Sequence, residues 1–360
     1  MTLFDDPERL NKREKKYKAM NGFKNLPYFR SLLLSAALFG SSLSIHARAD
    51  EVAYGPELEG FDYPAPVQRF RFNSQRQPVQ MAYLDVRPEH PNGHTAVLLH
   101  GKNFCAATWE GTMQFLQSKG YRVIVPDQIG FCKSTKPSTY QYSFQQLAHN
   151  TKALLESVGV ERFIVIGHST GGMLATRLAL MYPEAVEQLV MINPIGLEDW
   201  KAEGVPSLNI DQWIAREAQV NAERIRNYER STYYVNEWRP AYERWVQMLA
   251  GMYRGSGRDI VMWNSALIYD MIFTQPVLYE FGQLKVPTLL LIGEKDNTAI
   301  GKDIAPAEVK ARLGDYPKLA RRAAAMIPGA RLILFPQLGH APQMQDPEQC
   351  HAALLQGLTH

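Results

Sequence analysis

Cysteine is scarce in this chain of 360 residues, which contains only Cys105, Cys132 and Cys350. Structural zinc sites need cysteine and histidine ligands at short, recurring spacings, and these three residues match none of those patterns. The sequence therefore predicts no metal site.

Most of the chain also lacks an excess of charge of one sign. The formal net charge is +3, from 39 basic and 36 acidic residues, but nine of the basic and four of the acidic residues lie in residues 1–49. The remaining residues have a net charge of −2. Proteins that bind nucleic acid or a charged membrane surface need a positive footprint. Neither partner is expected, and the predicted partner is a small-molecule substrate.

A long hydrophobic run is missing too. The most apolar stretch, from Leu32 to Leu43, is short and interrupted by serine, whereas a helix needs about 20 apolar residues to cross a bilayer. Lys24 and Arg30 precede this stretch, and Ala47-Arg48-Ala49 supplies small residues at the spacing of a cleavage site. Residues 1–49 are therefore predicted to be a signal peptide, and the mature chain is expected to begin near Asp50 in the periplasm.

Two alternatives for this leader stay open. An uncleaved anchor would keep the apolar stretch on the protein, although its length and its serines make it a poor membrane span. Met20 offers a second start that would give a signal peptide of ordinary length.

Export would allow a disulfide bond. Cys105 and Cys132 each follow a predicted strand end on the same rim of the sheet, so a bond between them is geometrically plausible in an oxidising compartment, with Cys350 free. The alternative, three unpaired cysteines, is equally open on the sequence alone.

The stretch Phe163–Gly172, Phe-Ile-Val-Ile-Gly-His-Ser-Thr-Gly-Gly, is the feature around which the rest of the chain is arranged. A short β-branched run meets glycines and a serine, and an apolar periodic segment follows at once, which predicts a strand, a sharp turn and a helix. Ser169 lies at the tip of the turn. Small residues on both sides fit a strained backbone and a closely packed helix, and the helix N-terminus favours a developing negative charge beside the serine.

The rest of the pattern alternates short apolar runs with amphipathic segments. Two antiparallel edge strands come first, and the later runs read as strands buried on both faces. This alternation predicts an α/β fold with a mostly parallel, doubly wound sheet and helices on both faces. The predicted strands are Val67–Phe72, Val79–Val86, Ala96–Leu99, Tyr121–Pro126, Arg162–Ile166, Gln188–Ile192, Pro287–Ile292 and Arg331–Phe335; the predicted helices are Thr108–Ser118, Phe144–Val158, Gly171–Met181, Tyr316–Met326 and Pro347–Gly357.

Residues 197–280 break the alternation. They contain no strand-like run but hold five of the six tryptophans and many tyrosines. This composition predicts a helical lid inserted between two parts of one core domain, residues 50–196 and 281–360. Its aromatic rings either line a substrate pocket or pack within the helices, and both interpretations stay open.

The serine needs a base, and the base needs an acid to orient it. Asp296 and His340 each follow a predicted strand, at the edge where the ligands of such sheets bind. Two weaker alternatives are His168 as the base and Asp127 as the acid, although His168 more simply packs beneath the turn and Asp127 more simply holds its own turn.

Residues from about 67 to the end of the chain resemble the α/β-hydrolase family, and most closely its lid-bearing bacterial ester hydrolases. The matching motifs occur in the family's order: His100-Gly101 with Trp109, Pro126-Asp127 with Gly130 and Ser134, Gly167-His168-Ser169-Thr170-Gly171-Gly172, Gly293-Glu294-Lys295-Asp296, and Gly339-His340-Ala341-Pro342. Five ordered motifs are much more specific than an isolated G-x-S-x-G. Cys132 departs from the family, which often has glycine there.

The resemblance implies a role for each matching residue. Ser169 would be the nucleophile, His340 the general base and then acid, and Asp296 the carboxylate that orients it. The oxyanion hole would consist of the backbone N–H groups of Thr170 and Lys102, with Asn103 as the fallback for Lys102. No cofactor is implied.

The expected activity is hydrolysis of a small or medium carboxylic ester through an acyl-enzyme. Relatives that cleave carbon–halogen bonds or epoxides carry aspartate where this chain has Ser169, which disfavours an alkyl-enzyme route. Hydrolysis of an amide, a lactone or a carbon–carbon bond stays open, because the same three residues serve each reaction. A ligand-binding protein without turnover and a cofactor-free perhydrolase or oxygenase are the remaining alternatives, and the oligomeric state is not predicted.

Overall fold

An eight-stranded sheet organises the chain, of which the computed structural model describes residues 52–358. The predicted signal peptide and its cleavage site lie outside these residues. The strands are β1 Gln68–Ser74, β2 Gln77–Val86, β3 Thr95–Leu99, β4 Arg122–Pro126, β5 Phe163–His168, β6 Val186–Ile192, β7 Thr288–Gly293 and β8 Arg331–Phe335. They are ordered β1-β2-β4-β3-β5-β6-β7-β8 in the sheet.

The sheet is mostly parallel, as the alternating pattern predicts. All neighbours from β4 to β8 pair in parallel, while β2 runs antiparallel to both β1 and β4. The prediction that β2 is an edge strand is wrong, because Tyr83–Val86 pairs with β4 on one side while Gln77–Tyr83 pairs with β1 on the other. Alternation of apolar and polar residues indicates that one face of a strand is buried and the other is exposed. It does not indicate whether one or both edges of the strand are paired.

Helices cover both faces of the sheet. The helices of the core are α1 Glu110–Ser118, α2 Phe144–Ser157, α3 Thr170–Met181, α8 Ala307–Lys310, α9 Tyr316–Met326, α10 Pro342–Gln345 and α11 Pro347–Gly357. Successive residues of β3 enter different apolar clusters: Val97 and Leu99 pack with α2 and α3, whereas Ala96 and Leu98 pack with α1 and α11. This division follows from the two-residue period of a strand and explains why β3 is apolar throughout.

The chain between β6 and β7 is helical. It contains α4 Ile210–Glu217, α5 Ala222–Thr232, α6 Glu243–Arg254 and α7 Arg258–Thr274, and no strand occurs in this fully described segment. Helices α4 and α7 contact each other through Trp213 and Tyr269, whose rings stack with centroids 5.2 Å apart. A function as a lid stays a prediction. Among the described residues, no helix has the length and apolar character needed to span a membrane.

Candidate active site

Ser169 occupies a strained turn between β5 and α3. Its backbone angles are φ 56° and ψ −122°, a conformation that residues other than glycine rarely adopt. A Cβ atom at Gly167 would lie 2.1 Å from the carbonyl oxygen of Gly171, and one at Gly171 would lie 2.1 Å from that of Leu99. The two glycines therefore let β5, α3 and the end of β3 approach closely enough to form the turn.

Asp296 and His340 are joined by a buried hydrogen bond. Asp296 follows β7, His340 follows β8, and the His340 Nδ1 atom lies 2.6 Å from Asp296 Oδ2. Both side chains are fully buried. Because parallel strands end at the same edge of the sheet, residues 44 positions apart meet here.

Two polar residues that the sequence analysis missed hold the carboxylate of Asp296. Asn193, directly after β6, donates from Nδ2 to Oδ2 over 2.9 Å. Thr298 donates to Oδ1 from its backbone N–H and from its hydroxyl, over 2.8 and 2.7 Å. The only sequence signal for Asn193 is its position at the end of a strand, and Thr298 follows the acid by two residues, as in an Asx turn.

The other ring nitrogen of His340, Nε2, is buried and has no hydrogen-bond partner among the described residues. The His340 ring lies beside the ring of His168, the residue before Ser169, with the two ring centroids 4.9 Å apart. The structure therefore brings Asp296 and His340 into a hydrogen bond and places both near the serine turn. It shows no hydrogen bond between the imidazole and the serine hydroxyl, a contact that is often loose without substrate.

Of the two residues predicted to supply the oxyanion hole, Thr170 directly follows Ser169 and Lys102 directly follows Gly101. Thr170 is the first residue of α3, where backbone N–H groups have no partner within the helix. Gly101 packs against the serine so closely that a Cβ atom there would lie 3.0 Å from Ser169 Cβ and 3.4 Å from its Oγ. Gly101, the residue before Lys102, therefore lies against the serine side chain.

The side chain of Lys102 enters a polar network that the sequence analysis did not predict. Its Nζ donates to Ser265 Oγ over 2.5 Å, lies 3.7 Å from Glu217 Oε1 and sits 3.8 Å from the ring centroid of Tyr269. Burial lowers the pKa of Lys102, and the carboxylate of Glu217 acts in the opposite direction. These contacts fasten the loop after β3 to helices α4 and α7.

Asn103, the fallback oxyanion residue, contacts the helical segment as well. Its Nδ2 donates to the hydroxyl of Tyr233 over 3.0 Å. The ring of Tyr233 lies 4.9 Å from that of His340, centroid to centroid. Tyr233 therefore touches both the loop after β3 and the imidazole.

A cavity of about 610 Å³ opens beside this loop. Two residues of its wall contact the site directly: Thr298 donates to Asp296, and the Thr232 carbonyl accepts the His340 backbone N–H. Lys102 and Asn103 also line the cavity. Neither Ser169 nor His340 is among the described residues that line it. Trp213 and Tyr269 do line it while also stacking on each other, so one ring can both pack and face the cavity.

The two weaker candidates have structural contacts instead. The Nε2 atom of His168 lies 2.8 Å from the carbonyl oxygen of His340, and burial, followed by the neighbouring His340, lowers the pKa of His168 well below its usual value. Asp127 accepts hydrogen bonds from Tyr63, Ala106 and Lys133 over 2.6–3.0 Å. Each of these side chains holds a loop in place.

Cys105 and Cys132 form a disulfide bond with their Cα atoms 5.8 Å apart, and Cys350 is free and buried. The bond joins the loop after β3 to the turn after β4. Of the two readings left open by the sequence, the structure has the paired one.

A family model described as the alpha/beta hydrolase fold matches residues 97–347. This match covers well over half of the chain, and the chain therefore belongs to the alpha/beta hydrolase family. It is a hydrolase of this fold, with the eight-stranded, mostly parallel sheet described above.

Individual relatives agree with this assignment. The chain is similar to a structure of a probable hydrolytic enzyme from Pseudomonas aeruginosa PAO1, with 64% identity, a TM-score of 0.86, and coverage of 86% of this chain and 99% of that one. It is 24% identical over 269 residues to 2-hydroxymuconate semialdehyde hydrolase from Pseudomonas putida, covering 71% of this chain and 84% of the relative. Lipase 1 from Psychrobacter immobilis is 24% identical over 257 residues, or 70% of this chain and 73% of the lipase.

Proposed function

We propose that this protein hydrolyses a small or medium carboxylic ester, with Ser169 as nucleophile, His340 as general base and Asp296 as the carboxylate that orients the imidazole. The observation that carries the proposal is the buried hydrogen bond between Asp296 and His340, which leaves Nε2 unpartnered beside the strained serine turn. A carboxylate on Nδ1 fixes the tautomer in which Nε2 accepts a proton.

The chemistry follows from these positions. Ser169 Oγ attacks the ester carbonyl while His340 Nε2 takes the hydroxyl proton. The negative charge on the carbonyl oxygen is held by the backbone N–H groups of Thr170 and Lys102. The carbon–oxygen bond to the alcohol then breaks, and the imidazolium returns the proton to the departing alcohol. Water, deprotonated by His340, attacks the acyl-enzyme and releases the acid and the free serine.

Substitution of the three residues tests this proposal. Ser169→Ala and His340→Ala should each lower kcat/KM for p-nitrophenyl esters by about 10³-fold or more, and Asp296→Asn by a comparable or smaller factor. Ser138→Ala, at an exposed loop residue, is the matched control and should keep full activity. Full activity in Ser169→Ala would contradict the assignment.

The choice of bond is tested with a panel of substrates. Esters of increasing acyl length, an amide and a lactone should show the highest kcat/KM for an ester. A higher kcat/KM for the amide or the lactone would mean that the same residues hydrolyse that bond instead of an ester. Folded protein without turnover of any substrate would favour a binding function.

A further inference from the structure

We propose that the cavity beside Lys102 binds an anionic part of the substrate, so that the preferred ester carries a carboxylate on the portion that occupies the cavity. The inference rests on the proposed ester hydrolysis and names the substrate class of that site.

The cavity has the position and size for this task. Its wall includes Lys102, whose neighbour Gly101 packs on Ser169, and Thr298, which binds Asp296. Its volume of about 610 Å³ is within the usual range for small-molecule sites. In the proposed binding mode, one part of the ester occupies the cavity while its carbonyl lies at the serine.

The side chains that line the cavity carry an excess of positive charge. The cationic ones are Lys102, Arg216, Arg224, Lys302 and Lys310, and the acidic ones are Glu217 and Asp303. Glu217 lies 3.7 Å from Lys102, and Asp303 lies 2.7 Å from Arg216, so each acid is already paired with a cation of the same wall.

Three cations of the wall form no ion pair among the described residues, although the carboxylates of Glu198 and Asp296 act on Lys302 from a greater distance. Arg224 donates to the neutral side chain of Gln219, and Lys302 donates to the backbone carbonyl of Leu313 over 2.6 Å. Lys310 is exposed and has no ion pair within the described part of the chain. A carboxylate in the cavity would be attracted by these cations, whereas a neutral ligand would not.

A concave site concentrates the field of such charges. Positive side chains that converge on a cleft raise the local concentration of an anion and its rate of association. At 0.1 M salt the Debye length is about 10 Å, so the effect extends across a cavity of this size and weakens as salt is added. The preference for an anionic substrate should therefore appear mainly in KM and depend on ionic strength.

Matched pairs of esters test the proposal with the whole mature protein. Mono-p-nitrophenyl adipate and its methyl ester differ by one charge and one methyl group on the acyl part. The pair 3-(4-acetoxyphenyl)propanoate and its methyl ester differ in the same way on the alcohol part. In one of the pairs, kcat/KM should be at least tenfold higher for the anionic member at 20 mM salt, and the ratio should fall at 500 mM. The pair that shows the effect identifies which side of the ester enters the cavity.

Charge-matched variants separate the cavity from the general charge of the protein. Arg224→Gln with Lys310→Gln should reduce the ratio of anionic to neutral kcat/KM about fivefold or more. Arg230→Gln with Lys318→Gln removes the same charge from exposed residues that do not line the cavity and should preserve the ratio. Equal kcat/KM within both pairs, or equal loss of the ratio in both double variants, would overturn the proposal.

If the proposed ester hydrolysis is wrong, neither the anionic nor the neutral esters will be turned over, which distinguishes that outcome from failure of the anion site. In that case calorimetric titration with monomethyl adipate measures the cavity directly. Binding that weakens in Arg224→Gln/Lys310→Gln and persists in Arg230→Gln/Lys318→Gln would support the anion site; identical affinities, or no binding, would overturn it.

Discussion

The backbone and the side chain of Lys102 have separate roles. Its backbone N–H is a proposed oxyanion donor next to Gly101, which packs on Ser169, and its ammonium lies between Ser265, Glu217 and Tyr269 on the helical segment. A backbone donor survives any substitution of the side chain, but its position does not. The side-chain contacts therefore matter for the geometry of the proposed oxyanion hole.

Lys102→Met keeps the backbone and an unbranched side chain one atom shorter, while removing the ammonium and its charge. We expect a loss of roughly 3 kcal/mol in the free energy of unfolding, because Glu217 is left buried without its cation. We also expect kcat/KM for a neutral ester to fall about tenfold, because the loop is no longer held against α4 and α7. Thermal or urea unfolding and steady-state kinetics measure the two effects.

The double variant Lys102→Met/Glu217→Gln is the control for this prediction. It leaves no unpaired charge, so most of the lost stability should return while the kinetic defect remains. Unchanged stability and activity in Lys102→Met would show that the network has no such effect.

For single residues, the sequence indicates candidates whose chemistry is specific, and the structure brings two of them, Asp296 and His340, into a hydrogen bond. A serine between glycines, an aspartate and a histidine after strands are recognisable because few other residues serve those roles. Asn193 and Thr298 were missed, because amides and hydroxyls at strand ends are common and their partner becomes apparent only when the strands are adjacent. The network of Lys102 was missed for the same reason, since Ser265 is 163 residues away.

Helix α5 contains a buried carboxyl group, that of Glu229. The side chain is fully buried, and neither of its oxygens has a hydrogen-bond partner among the described residues. Burial, with the nearby Glu243 adding to the effect, raises the pKa of Glu229 from 4.5 to about 8. The end of this helix contacts the His340 loop, where a Cβ atom at Gly339 would lie 2.6 Å from the carbonyl oxygen of Tyr233.

The stability of the protein should therefore depend on the protonation of Glu229. The folded state prefers the neutral carboxyl, so this contribution is complete below the unfolded pKa of 4.5 and is lost as pH rises through about 8. Glu229→Gln removes the titration. Relative to the wild type, its free energy of unfolding should increase by roughly 4 kcal/mol between pH 5 and pH 9.

Urea unfolding at several pH values measures this increase. Glu223→Gln, at an exposed residue of the same helix, should show a nearly constant difference from the wild type. A constant difference for Glu229→Gln would mean that the carboxyl is not held neutral in the folded protein.

Among the elements, those with a strong period were predicted best. The bounds of β8, α9 and α11 agree with those predicted from the sequence, and the other predicted core strands and helices differ by one to a few residues. The short helices α8 and α10 were not predicted, because four residues are too few to show a helical period. The internal position of β2 was not predicted either, because pairing is decided by strands that are distant in sequence.

At the scale of the whole molecule, we propose that the chain is exported to the periplasm after cleavage near Asp50. The leader has a basic region, a short apolar stretch and small residues at 47–49. The disulfide between Cys105 and Cys132 supports the proposal, because such bonds persist in oxidising compartments.

Fractionation of the producing cells tests this proposal. Protein from the periplasm should have an N-terminus near Asp50, and alkylation of the unfolded, unreduced protein should label one cysteine, Cys350. A chain that retains its leader in the cytoplasm, with three cysteines labelled, would contradict export.

The sequence predicts the class of the fold but not the order of the strands in the sheet. The parallel arrangement follows from the alternation of strands and helices. Whether a given strand lies beside another depends on packing across the whole core. That packing places the ends of β7 and β8 close enough for Asp296 and His340 to form a hydrogen bond, with the serine turn after β5 in the same part of the sheet.

The most direct test of this account is covalent labelling with a fluorophosphonate, which reacts with a serine only when a base activates it. Peptide mass analysis should find stoichiometric modification of Ser169 in the folded wild type, much slower labelling in His340→Ala and none in Ser169→Ala. An unmodified Ser169 in folded protein, or equal labelling rates in the wild type and His340→Ala, would contradict the proposed activation of the serine.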